Sequence, residues 1–238
     1  MTDYDRQARA ELHAWQQKMQ RPPSLLSRAT RRLQTRLNAL LPEKVHAAVT
    51  AAIREMVRGV LFGSQHTTRR PLHTATLEER EAAVRARIRA YCNTAALECV
   101  VTGAGGFLLG LADFPLLLGL KLELLFDVAA LYGHDVHDYT ERLYLLHVFQ
   151  LAFSSQHTRN DTYRRLADWE TYRHTLPADA REFDWRTFQQ EYRDYIDLAK
   201  LAQLLPVVGA AVGAVANYKL LEQLGHTAMM CYRLKSRM

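Results

Sequence analysis

Cysteine is scarce in this chain, with three among 238 residues, Cys92, Cys99 and Cys231. The number is odd, no CxxC or Cys/His ligand spacing occurs, and each lies in a helical pattern. The expectation is buried, reduced thiols in a reducing compartment, not a disulfide framework. Proline and glycine are also few, seven and eleven, so long helices meet few interruptions. Period-two alternation persists nowhere and no repeat of useful length occurs, which argues against sheet and solenoid folds. The opening MTDYDRQARAEL contains no apolar run of the secretory kind, so a cytoplasmic protein is expected. A GxSxG elbow and a local Cys/His signature for nucleophilic catalysis are both absent.

What is present is apolar and helical. Hydrophobic residues make up 48% and charged residues 24%, enough for a core and too charged for a polytopic membrane protein. The predicted fold class is all-α, a multi-helix bundle around a close-packed glycine-rich helical hairpin. Residues 3–20 read as a surface helix with Leu12, Trp15 and Met19 on one side, ended by Arg21-Pro22-Pro23. Helices follow over about 24–40 and 43–61, then a linker over 63–75. Thr76 with Glu79 forms a capping box, Gly133 is a left-handed helix stop, and Asp138 with Glu141 forms a second capping box before a helix to about Ser154. A short helix and loop end at Pro177, a helix runs over about 185–205, and a final helix reaches about Arg233. Residues 1–75 form a basic N-terminal helical region and 76–238 the main helical domain.

Two apolar segments, 100–120 and 204–218, carry glycines at helical spacing. Gly103, Gly105, Gly106 and Gly110 crowd the first; Gly209 and Gly213 stand one turn apart in the second, with Asn217 one turn further. A glycine inside a helix costs about 1 kcal/mol relative to alanine, and close helix packing at GxxxG spacing offsets it. The two segments are therefore expected to pack together. A phosphate-binding loop does not fit: the pattern meets Leu108 where GxGxxG needs glycine and Leu111 where a lysine belongs. Residues 100–120 have the length of a membrane span. Their apolar side chains favour insertion by roughly 3 to 6 kcal/mol, and Asp113 opposes it by about 3 kcal/mol. With Pro115 weakening the helix as well, a buried hairpin is favoured over a simple span. Asp113 either caps the helix that holds Pro115 or lies inside it.

Candidate chemistry is limited to carboxylates and histidines. Glu123 and Asp127 are one helical turn apart and could hold a cation or share a proton; the alternative is pairing with a basic residue of a neighbouring helix, with Lys200 and Lys219 as candidates. Asp113 lies about 21 Å from Asp127 along a helix axis and cannot join that site. His134-Asp135-x-His137-Asp138 resembles a metal cluster, but Gly133 as a stop and Asp138 as a cap put it in a turn. Neither a metal nor any other cofactor is expected, and Glu123, Asp127, His134 and Asp138 are the residues to watch. Asp113, Asp127 and Asn217 are the polar groups of the apolar helices.

Charge is segregated. Residues 1–70 hold thirteen basic and five acidic residues, a net +8, so the remainder carries −2 of the total +6. On the helix over 24–40, Arg28, Arg31, Arg32 and Arg36 flank an apolar stripe, a pattern suited to an anionic membrane surface. Few aromatics interleave with these arginines, so nucleic acid is not the expected partner.

Three stretches carry a family resemblance: TGAGGFLLGLADFPLLLGLKLELLFDVAALYGHD at 102–135, FDWRTFQQEYRDYIDLAKLAQLLP at 183–206, and VVGAAVGAVANYKLLEQLGHTAMMCYR at 207–233. Together and in order they resemble the EcsC family of bacterial proteins, with residues 155–182 matching least. The resemblance implies a helical fold and a membrane-linked setting beside an ABC transporter; it transfers no reaction and no catalytic residue. Asp113, Pro115, Gly133, Asp135, Gly209, Gly213 and Asn217 match the recurring pattern. The expectation is a non-enzymatic, membrane-associated protein, peripheral at the inner face of the cell membrane, with lipid or an anionic surface as partner and a transporter as a further one. The alternatives are a metal-dependent or carboxylate hydrolase using Glu123, Asp127 or the His134–Asp138 turn, and a soluble scaffold binding through its N-terminal helices.

Overall fold

The computed structural model describes residues 2–22, 51, 53–55, 57–60, 74–102, 106–154, 158–177 and 210–236, with the backbone alone described at 98–102, 106–117 and 210–213. The regular elements are α1 (Asp3–Gln20), α2 (Leu77–Thr102), α3 (Gly106–Leu131), α4 (Tyr139–Phe153), α5 (Arg159–Ala167), α6 (Trp169–Tyr172) with a 3-10 turn over Arg173–Thr175, and α7 (Ala210–Lys235). Among the described residues no strand occurs, so the fold is all-α as expected. The predicted helices over 24–40 and 185–205 and the linker up to residue 73 lie outside the described residues. Of the helix over 43–61 the described residues are helical, and Ile53, Val57 and Val60 join the core.

Local signals set the helix ends. Thr2 and Asp5 form a capping box on α1, and Ala8, Leu12, Trp15 and Met19 make its buried stripe. Thr76 and Glu79 close the predicted box before α2: the Glu79 amide donates to Thr76 Oγ1 at 3.3 Å and the Thr76 amide to Glu79 Oε2 at 2.8 Å. The chain leaves α3 through Gly133 at φ 91°, with the His134 amide bonded to the Ala129 carbonyl and that of Gly133 to Ala130. Those two bonds form a Schellman stop, which needs a residue that tolerates positive φ. At α4 the expected box does not form, although Asp138 still caps the helix. Asp138 Oδ1 accepts from the Thr140 amide at 2.9 Å, but Glu141 turns inward instead of back to Asp138.

The first apolar segment is shared between two helices, α2 ending at Thr102 and α3 starting at Gly106, so Asp113 and Pro115 lie inside α3 and Asp113 is no cap. Among the described residues no helix is long and apolar enough to cross a membrane.

Helices α2 and α7 run antiparallel in one register. Glu81 meets Arg233, Ile88 meets Gly225, the Cys92 thiol faces the Tyr218 carbonyl, and Ala96 packs with Ala214. From Glu81 to Ala96 this contact covers about 22 Å of helix. Helix α3 lies antiparallel to α2, with Arg80 donating to the Tyr132 carbonyl and Arg87 to Asp127. The element enclosed on every side is α4, in which Glu141 and every residue from Leu143 to Phe153 is buried. Each large apolar side chain removed from water contributes about 1.5–3 kcal/mol, so α4 is a main source of stability. Helices α5 and α6 close the bundle, with Trp15 edge-on to Tyr163 and Trp169 edge-on to Tyr144.

Candidate functional site

Among the described residues the largest polar assembly lies where α1, α2, α7 and the end of α3 meet. Glu81 is 0% exposed, and so is Arg233. The Arg233 guanidinium donates from Nε to Glu81 Oε1 and from Nη2 to Glu81 Oε2, both at 2.6 Å, a bidentate fork. Its Nη1 donates to Glu11 Oε2 at 2.9 Å and the Ala8 carbonyl at 3.2 Å on α1. Tyr132 Oη donates to Glu81 Oε1 at 3.0 Å, Arg85 Nη2 approaches Oε2 at 3.3 Å, and the Tyr4 hydroxyl also donates to Oε2. Burial works against the Glu81 charge, but Arg233 and the tyrosines more than offset it and hold the carboxyl below its usual range. For Tyr132, burial first and then the Glu81 charge raise the phenol far above its ordinary value. The carboxylate stays charged and its lone pairs are filled by this chain's own donors.

A second cluster adjoins it around Glu141, which is 5% exposed. Tyr232 Oη donates to Glu141 Oε1 at 2.7 Å and Lys235 binds Oε2. His134 Nδ1 lies 3.4 Å from Oε2. The rings of Tyr132 and Tyr232 stack at 5.2 Å between centroids, and the Lys235 ammonium sits 4.4 Å above the Tyr144 ring. Burial holds the His134 ring below its ordinary pKa, and Glu141 opposes that shift only in part.

The expected residues are dispersed by this arrangement. Asp127, 6% exposed, accepts from Arg87 Nε at 2.7 Å and from Tyr91 Oη at 3.1 Å, while Glu123 is exposed. The partner of Asp127 is thus an arginine of α2, not Lys219, which is exposed; Lys200 lies outside the described residues. The Tyr91 phenol is raised by burial and then by the Asp127 charge. His134 points in toward Glu141, whereas Asp138 is exposed and caps α4. Among the described residues no three His, Cys, Asp or Glu side chains converge as a metal site would need. Asn217 is 0% exposed and accepts from the equally buried Lys121 at 3.4 Å. Cys92 and Cys231 are buried and free, and burial pushes the Cys92 thiol up to about 11. The surroundings of Asp113, Gly106, Gly110 and Gly213 are not described, and Gly103, Gly105, Gly209, Arg28, Arg31, Arg32 and Arg36 lie outside the described residues.

Sequence reasoning missed Glu81, Arg233 and Gly225, and gave Glu141 a capping role in place of its buried one. Glu81 did carry a signal: Leu77, Glu81, Val84, Ile88, Cys92 and Ala95 are spaced by three and four, so a carboxylate occupies a core position of α2. A residue at that register faces the helices packed on α2 and needs a partner there.

The chain matches the model of the EcsC protein family over residues 6–236. It is 46% identical over 222 residues to Protein EcsC of Bacillus subtilis (strain 168), covering 93% of this chain and 91% of that protein. Over 141 residues it is 32% identical to the uncharacterized protein YdbA of the same strain, covering 59% of this chain and 52% of YdbA. No solved structure matches the chain.

Proposed function

The chain belongs to the EcsC protein family, and from that premise we propose that it is a non-enzymatic, membrane-associated helical protein, peripheral at the inner face of the cell membrane, that binds anionic lipid surface and works beside a membrane transporter. The observation that carries this reading is the closure of the buried carboxylates. Glu81, Asp127 and Glu141 are each engaged by an arginine or lysine and by a tyrosine. A carboxylate so occupied is a poor general base, because its lone pairs are already filled by donors of the chain itself. Among the described residues the buried carboxylates act as clamps between helices, and on this reading the work of the chain falls to its surface.

The surface favoured for that work is the basic N-terminal third, +8 against −2 for the remainder. Each basic residue near an anionic leaflet contributes about 1 kcal/mol, so Arg28, Arg31, Arg32 and Arg36 together amount to about a thousandfold in partition. Co-sedimentation of the full chain with anionic and neutral vesicles tests this. Binding to anionic vesicles, weakened by salt and by replacing the four arginines with glutamine, is the expected result. Equal absence from both pellets would remove the membrane reading.

A further inference from the structure

We draw no further inference here: the strongest candidate, the open polar groove between the end of α1 and α5 lined by Gln20, Asn160, Tyr163, Arg164 and Asp168, carries nothing, because nothing in the structure shows what occupies it.

Discussion

At the residue scale the decisive feature is the buried Glu81–Arg233 pair. Taking both charges out of water costs several kcal/mol per ion, and the bidentate fork with its tyrosine donors has to repay that cost. The net worth of the pair is therefore small, but the cost of removing one member is large, because the other is left buried and charged. Glu81→Gln and Arg233→Met should each destabilise the chain by about 3 kcal/mol, at the lower end of the usual range because Glu11 and Arg85 remain as partial partners. The double variant Glu81→Gln with Arg233→Met should lose less than the two single variants combined, by about 1–3 kcal/mol. Urea unfolding of the full chain measures this, and additive losses would show that the two charges do not depend on each other. The same logic applies to Glu123 and Asp127, where pairing with a basic residue of a neighbouring helix is the alternative to a shared cation site. Spacing alone places the two carboxylates on one side of α3, but Arg87 of α2 takes Asp127 while Glu123 is left in water. One sequence does not reveal which neighbouring helix supplies the counter-charge.

At the scale of elements, helix ends were legible and helix contacts were not. The Thr76/Glu79 box and the Gly133 stop depend on chemistry within a few residues, so their patterns carry over directly to structure. Glu141 has the spacing of a capping box, yet Tyr232 and Lys235, distant in sequence, draw its carboxylate inward. Glycine was read from crowding at GxxxG spacing, which overlooked Gly225, a lone glycine in α7. A Cβ there would lie 2.5 Å from Ile88 Cγ1 and 3.1 Å from Cγ2, atoms near the α2 backbone that cannot swing away. Gly225→Ala gains about 1 kcal/mol of helix propensity and incurs about 1–3 kcal/mol of overpacking. The expected net effect is destabilisation of up to about 2 kcal/mol, relieved when Ile88→Ala is added. A stabilised Gly225→Ala variant in thermal denaturation would mean that α2 and α7 can separate cheaply at this level.

At the scale of the whole molecule, the all-α class was legible because apolar periodicity and the lack of alternation are averages over many residues. The enclosed position of α4 was not, since YTERLYLLHVFQLAF reads as a helix apolar on several sides without saying which helices surround it. That enclosure has a consequence for acid. His147, fully buried in α4, has Nδ1 2.8 Å from the Leu143 carbonyl and Nε2 3.4 Å from Tyr172 Oη, an arrangement that suits the neutral ring with its proton on Nδ1. Burial, partly opposed by the Leu143 carbonyl, brings its pKa down from 6.5 to about 4. Between those values the unfolded chain holds a proton that the folded chain does not, so stability falls as pH falls through this window, by about 3 kcal/mol in all. His134 is lowered as well and acts in the same direction. Glu81, whose folded pKa is depressed, adds a later loss below its ordinary 4.5. Melting temperature should therefore hold near neutrality and drop between pH 7 and 5 by about 4–8 °C for a chain of this size. His147→Phe keeps a ring against Trp169 and Tyr172, 5.4 and 5.3 Å away, and removes the titrating group. It should flatten the slope above pH 5 while leaving the carboxylate loss below 4.5 in place. An unchanged slope above pH 5 in that variant would place the acid sensitivity outside α4.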